Sequence, residues 1–347
     1  MKCTNPNIIR VIKNPGDEKA TVQFLGSGRA KLTDNDYRQS LLDAGCIEVP
    51  CGNCIGCRIN YSQVWANRCY LESLCHDHTW FITLTYRDEN LKLNKFGLPT
   101  LEKDAISKFM RALRDRLGHN HNIRYFGCGE YGDAKGERQG FNPHYHIIVF
   151  GAPLLDLVID LPDMTKDKLP SGRYPIYRRK NQYGDFVYFS QTIYDCWQKG
   201  KIEVEEATWN TAAYVSRYVV KKQKGLSSNI YKRLDIVPEF IRMSNRPGIG
   251  SDWFQANKDK LLDSDYLSVK NGDKVNTQHP PRYFEKMMLK DEDSLEAVLM
   301  ISNKINRRLA SNKRLLDSTD KRLHGAKLED LEEVQKTKSK LLKRSLT

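Results

Sequence analysis

Between Asn142 and Gly151 the chain reads NPHYHIIVFG, an unbroken apolar run that two histidines and a tyrosine lead into. A run this short, β-branched and aromatic and bounded by Pro and Gly, is a strand buried in a sheet. Burial requires neither histidine. Residues i and i+2 of a strand share a face, so His144 and His146 project side by side while Tyr145 points the other way. Neutral imidazoles held in that way can share one cation.

The segment before it, IRYFGCGEYG at 123–132, is also β-rich, and the polar stretch DAKGERQGFNP joins the two as an antiparallel pair. Glu130 is the sole carboxylate of that first strand, and an antiparallel return can set it beside His144 and His146. Two histidines and a carboxylate leave coordination positions open, which suits a catalytic Mg²⁺ or Mn²⁺ better than a closed structural ion. Spacing alone also allows two half-exposed histidines and a solvent-facing glutamate.

Around this pair, Val64, Trp65, Cys69, Leu71, Leu74 and Cys75 recur at helical spacing over 61–76 and feed the strand WFITLTY at 80–86. The stretch 101–118 sets Ile106, Phe109, Met110, Leu113 and Leu117 on one helical stripe for the sheet, with Gly118 as its stop. Residues 160–190 are polar and broken by Pro and Gly, a surface excursion, and 205–222 is a third helix. The expected fold is therefore α+β, an antiparallel sheet flanked by helices. Residues 1–60 show little periodicity and form an irregular, Cys-rich segment; 61–255 form the main domain. Residues 256–347 form a charged, mostly helical extension, whose last 47 residues carry a net charge of +7.

The third helix brings Tyr214 and Tyr218 to i and i+4, one face, with Lys221 on it as well. A phenolic hydroxyl can attack phosphorus to form a phosphotyrosine, and an adjacent ammonium favours the phenolate. A phosphate-bearing partner agrees with the formal charge of +13. No apolar run spans a bilayer and the first twenty residues lack a signal-peptide core, so a soluble protein that is not exported is expected.

Four of the nine cysteines, Cys46, Cys51, Cys54 and Cys57, fall within twelve residues, a metal-binding density that implies a reducing compartment. Tetrathiolate Zn²⁺ is the first candidate and an iron-sulfur cluster the second. Cys69, Cys75, Cys128 and Cys196 are read as core.

The order FITLTY, GEYG, PHYHIIVFG, YVSRYVVKK resembles the HUH endonucleases, and specifically the rolling-circle replication initiators of microviruses. It is most similar to their gokushovirus branch, whose members also carry stretches like PCGNCIGCR, AAYVSRY and RPGIG. The resemblance covers roughly 45–255. It implies an RRM-like core, His144 and His146 as metal ligands with Glu130 the third, and Tyr214 and Tyr218 as nucleophiles. It places Thr85 and Tyr86 in the family's first motif. It adds Cys3 to Cys51, Cys54 and Cys57 as the fourth thiolate, where spacing alone favours Cys46. The implied activity is nicking and joining of single-stranded DNA at a replication origin, with a host helicase and polymerase as partners in the bacterial cytoplasm. The competing reading is a zinc-stabilised single-stranded nucleic-acid-binding protein without covalent chemistry. No GxxxxGK[ST] loop occurs in the chain.

Overall fold

The computed structural model describes residues 3–12, 21–27, 35–132, 142–159, 186–221, 229–263, 266–271 and 274–288, with a few short stretches beyond. The chain divides into two compact units, residues 1–62 with 285–347, and residues 63–284. Residues 256–284 thus belong to the unit that carries the main sheet.

In the first unit, β1 (Asn7–Ile12), β2 (Thr21–Ser27) and β3 (Ile47–Val49) form an antiparallel sheet in the order β2-β1-β3, with helix α1 (Asn35–Asp43) between β2 and β3. This corrects the expectation of an irregular segment. The strands escape a pattern reading because apolar residues occupy both faces: Ile8 is buried, packed with Cys46, Leu25 and Leu41, while Val11 and Ile12 on the same strand are exposed. Helix α2 (Ile55–Ser73) starts six residues before the expected Tyr61, because Gly56 and Asn60 weaken the helical pattern of its first turns.

In the second unit, β4 (Thr79–Thr85) is followed by α3 (Ala105–Leu117), which ends where Gly118 takes φ 87°. Next come β5 (Arg124–Gly132), β6 (Asn142–Phe150), β7 (Leu157–Ile159), β8 (Tyr188–Ser190), α4 (Gln191–Trp197), β9 (Ile202–Glu206) and α5 (Trp209–Lys221). The unit continues through α6 (Asn229–Arg233), β10 (Phe240–Met243), α7 (Ser251–Asp263), the hairpin β11 (Leu267–Asn271) with β12 (Lys274–Gln278), and the start of α8 (Arg282–Met288). Seven strands pair in the order β10-β5-β6-β4-β9-β8-β7, every pairing antiparallel. The expected helix from Glu205 starts later. Glu205 and Glu206 end β9, and a reciprocal cap between Thr208 and Thr211, each backbone N–H donating to the other's hydroxyl at 2.8 and 3.2 Å, opens α5 at Trp209. The expected surface excursion at 160–185 and most of the expected C-terminal tail lie outside the described residues.

Strand β6 sits inside the sheet, and its two faces feed two cores. Tyr145, Ile147 and Val149 pack with Ile82 and Leu84 of β4, with Ile106, Phe109, Met110 and Leu113 of α3, and with Ile193 and Trp197 of α4. Ile148 and Phe150 pack the other way, with Phe81, Phe126, Cys69 and Trp65, and with Ala212, Ala213 and Val215 of α5.

Below that second face lies a buried ionic group. Glu72 on α2 is fully buried, with Oε1 2.6 Å from Arg124 Nε and 3.2 Å from His76 Nε2, and Oε2 accepts from Gly250 N at 2.6 Å. Arg68 donates to Ile249 O through two nitrogens at 3.0 and 2.8 Å, and Arg124 donates to Pro247 O at 2.8 Å, so the RPGIG stretch is fastened to α2 and β5. Burial raises the Glu72 carboxyl pKa, but its hydrogen bonds and Arg124 outweigh burial and hold it below the usual carboxylate value. Replacing Glu72 with Ala leaves Arg124 buried without its counter-charge, and chemical denaturation should register a loss of about 3–5 kcal/mol. Because the folded pKa is lowered, the wild-type contribution is present above the unfolded value of about 4.3 and is lost as pH falls through the folded pKa. The Glu72→Ala penalty should therefore shrink in acid.

Candidate functional site

The β5–β6 register sets Glu130 opposite His144 and Cys128 opposite His146; the β4–β6 register sets Thr85 opposite His144 and Thr83 opposite His146. Cross-strand partners share a face, so these side chains lie on the α5 side of the sheet while Tyr145 enters the opposite core. Glu130, His144 and His146 come together: Glu130 Oε1 is 2.6 Å from His144 Nε2 and 3.3 Å from His146 Nε2. One ligand atom from each lies within 4.8 Å of the other two.

His144 shows what the group is built to hold. Its Nδ1 lies 2.9 Å from the Asn142 carbonyl and its Nε2 2.6 Å from the Glu130 carboxylate, two groups that only accept. The ring must donate at both nitrogens as an imidazolium, or a cation must take the place of the Nε2 proton. Glu130 is 3% exposed, and its Oε2 is buried with no hydrogen-bond partner among the described residues. Burial raises the Glu130 pKa, yet the hydrogen bonds with His144 and His146 outweigh it and keep the carboxyl below its usual value. An ionised buried carboxylate with a free lone pair beside two imidazoles fits a hard divalent cation.

Tyr214, on α5, lies against this group: its ring meets His146 edge-on at 5.1 Å and Phe81 at 6.2 Å. Tyr218 and Lys221 follow on the same helix, and their side chains lie outside the described residues. Thr85 ends β4 with its hydroxyl donating to Lys201 O at 3.0 Å. Tyr86 turns into the opposite core, where its hydroxyl donates to Glu102 at 2.7 Å. Burial pushes the Tyr86 phenol far up and the Tyr145 phenol up to about 12, so neither is a ready nucleophile. Two site neighbours went unread in the sequence. Thr83 Oγ1 lies 3.0 Å from His146 Nδ1, and Phe81 stacks on the His146 ring at 5.4 Å and 8°. The signal for both was strand parity in FITLTY, where Phe81, Thr83 and Thr85 share a face.

A second group forms in the first unit. Sγ atoms of Cys3, Cys51, Cys54 and Cys57 lie within 4.8 Å of one another, with Cys3 and Cys54 3.7 Å apart. Cys46 is buried against Ile8 instead, away from this group. Backbone N–H groups point at the sulfurs: Asn53 and Cys54 donate to Cys51 at 3.4 and 3.2 Å, Cys51 to Cys3 at 3.4 Å, and Thr4 to Cys54 at 3.4 Å. The hydrogen bond with Cys3, and then that with Cys57, drives the Cys54 pKa far down to the thiolate. With that charge in place, the hydrogen bond with Cys54 pushes Cys3 up to about 11, and those with Cys3 and Cys54 push Cys57 up as well. A cation among them relieves this crowding. A single ion at about 2.3 Å from four tetrahedral sulfurs spaces them by about 3.8 Å, which this set matches. A multi-iron cluster, with cysteines on different irons, spreads them further. Of the cysteines read as core, Cys69 and Cys128 are buried, whereas Cys196 is half-buried and Cys75 is exposed beyond the end of α2.

The family model for the phage replication-associated protein ORF2 matches residues 79–223, the stretch that carries Glu130, His144, His146, Tyr214 and Tyr218. The chain is 31% identical over 325 residues to replication-associated protein ORF2 of Spiroplasma virus 4, a match covering 92% of this chain and 91% of that protein. It is 32% identical over 240 residues to replication-associated protein VP4 of Bdellovibrio phage phiMH2K, covering 68% and 66%. It is 30% identical over 176 residues to replication-associated protein ORF4 of Chlamydia phage 1, covering 50% and 38%. No solved structure matches. The chain belongs to the family of phage replication-associated proteins. Among the described residues no helix is long and apolar enough to cross a membrane.

Elemental analysis of the purified chain should find one thiolate-held ion, absent from Cys54→Ser and retained by Cys46→Ser. Loss of the ion should lower the melting temperature, because it ties Cys3 to the β3–α2 corner.

Proposed function

We propose that this protein nicks and rejoins single-stranded DNA at a replication origin, initiating and ending rolling-circle replication of a small circular phage genome as an HUH-type endonuclease. The observation that carries this reading is the Tyr214 ring against His146, 5.1 Å between centroids, beside a buried carboxylate and a second histidine. Membership in a family of replication-associated proteins supports it.

Glu130, His144 and His146 would hold Mg²⁺ or Mn²⁺, which when bound polarises the scissile phosphate and neutralises charge developing on it. Tyr214 attacks phosphorus in line: the Tyr–O–P bond forms, the P–O3′ bond breaks, and the 3′ oxygen leaves with a proton as a free hydroxyl. The 5′ end stays on the enzyme as a phosphotyrosine, while the 3′-hydroxyl primes a host polymerase behind a host helicase. Tyr218, one turn further along α5, takes the regenerated junction, and the released 3′-hydroxyl displaces the first tyrosine to close the circle. Lys221 favours the phenolate and meets the phosphate charge. Joining needs no nucleotide, because the phosphotyrosine keeps the energy of the cleaved bond. Cys3, Cys51, Cys54 and Cys57 hold structural Zn²⁺. The setting is the cytoplasm of the bacterial host.

A denaturing gel of the protein with circular single-stranded DNA bearing its cognate origin tests this, with Mn²⁺ or EDTA, beside Tyr214→Phe, Tyr218→Phe and the double variant. A metal-dependent adduct that survives denaturation and vanishes in the double variant is expected. Binding without adduct or nick under any metal would leave a zinc-stabilised binding protein in its place.

A further inference from the structure

We propose that Thr83 is a positioning residue for the cation site, its hydroxyl holding His146 in the tautomer that presents Nε2 to the ion. The inference rests on the reading of Glu130, His144 and His146 as a cation site. Strand β4 sets Thr83 directly across from His146, and Thr83 Oγ1 lies 3.0 Å from His146 Nδ1. An imidazole that ligates through Nε2 keeps its proton on Nδ1 and is steadied by an acceptor there. For His144 that acceptor is the Asn142 carbonyl, 2.9 Å from Nδ1. For His146 it is a hydroxyl, which accepts from Nδ1–H and turns its own hydrogen elsewhere.

The other described contacts of the ring do a different job. Phe81 stacks at 5.4 Å and 8°, and Tyr214 meets the ring edge-on at 5.1 Å and 77°. Aromatic neighbours set the plane of the imidazole; the hydroxyl sets which nitrogen carries the proton. Since Tyr214 rests on the same ring, Thr83 also bears on the alignment of nucleophile and ligand.

Thr83→Val keeps the β-branched shape that suits the strand and removes only the hydroxyl, whereas Thr83→Ser keeps the hydroxyl. Mn²⁺ affinity of the full chain, read from the electron paramagnetic resonance signal of free Mn²⁺ during titration, separates the cases, with melting temperature measured alongside. Thr83→Val should bind about 10–100-fold more weakly, the usual cost of removing a partner of a ligating histidine, while Thr83→Ser stays near wild type. Binding by Thr83→Val equal to wild type would overturn the inference, as would a loss in Thr83→Ser as large as in Thr83→Val. If the wild type shows no Mn²⁺ binding that Glu130→Ala abolishes, the cation-site reading itself fails and this inference with it.

Discussion

The antiparallel register between β5 and β6 is the constraint on which the site depends. With Glu130 opposite His144, three ligating side chains from two strands reach one face. A slip of one residue would turn Glu130 into the opposite core, among Tyr145, Phe109 and Leu113. The glycines of β5 help to lock the register. A Cβ on Gly129 would lie 3.1 Å from the rings of Phe240 and Tyr145, so the Tyr145 ring has its place only over that glycine. From there the Tyr145 hydroxyl accepts from Glu102 N at 2.9 Å and lies 3.0 Å from the Tyr86 hydroxyl, fastening β6 to the segment after β4.

The two metal-binding groups follow opposite rules. The four cysteines are soft, close the coordination sphere and are wrapped by backbone N–H donors, so they suit an ion that shapes the chain. Glu130, His144 and His146 are harder, leave positions open and stand beside a tyrosine, so they suit an ion that meets substrate. Charge separates them further. Among the thiols only Cys54 is held as a thiolate, whereas the Glu130 carboxylate is already ionised by its two histidines.

Much of the site could be read from the sequence because a strand repeats every two residues. His144 and His146 needed only that parity, and Glu130 was the one carboxylate its strand offered. Grouping Cys3 with Cys51, Cys54 and Cys57 was different: spacing favoured Cys46, and only the resemblance pointed to the N-terminal thiol. Thr83 stayed hidden because its role depends on how β4 pairs with β6, a register no spacing within one strand reveals. The N-terminal sheet was illegible for another reason. Its strands expose Val11, Val22 and Phe24, so hydrophobicity does not alternate along them. The start of α5 was missed because Glu205 and Glu206 suit a helix by composition, and the Thr208–Thr211 cap sets the boundary instead.

The central claim is that one divalent cation sits among Glu130, His144 and His146 beside Tyr214. Anomalous diffraction at the manganese edge, from crystals of the full chain soaked in Mn²⁺, tests it most directly. The account predicts a peak at coordination distance, about 2.1 Å, from the Glu130 carboxylate and both Nε2 atoms. Crystals that take up Mn²⁺ only elsewhere, or not at all, would contradict it.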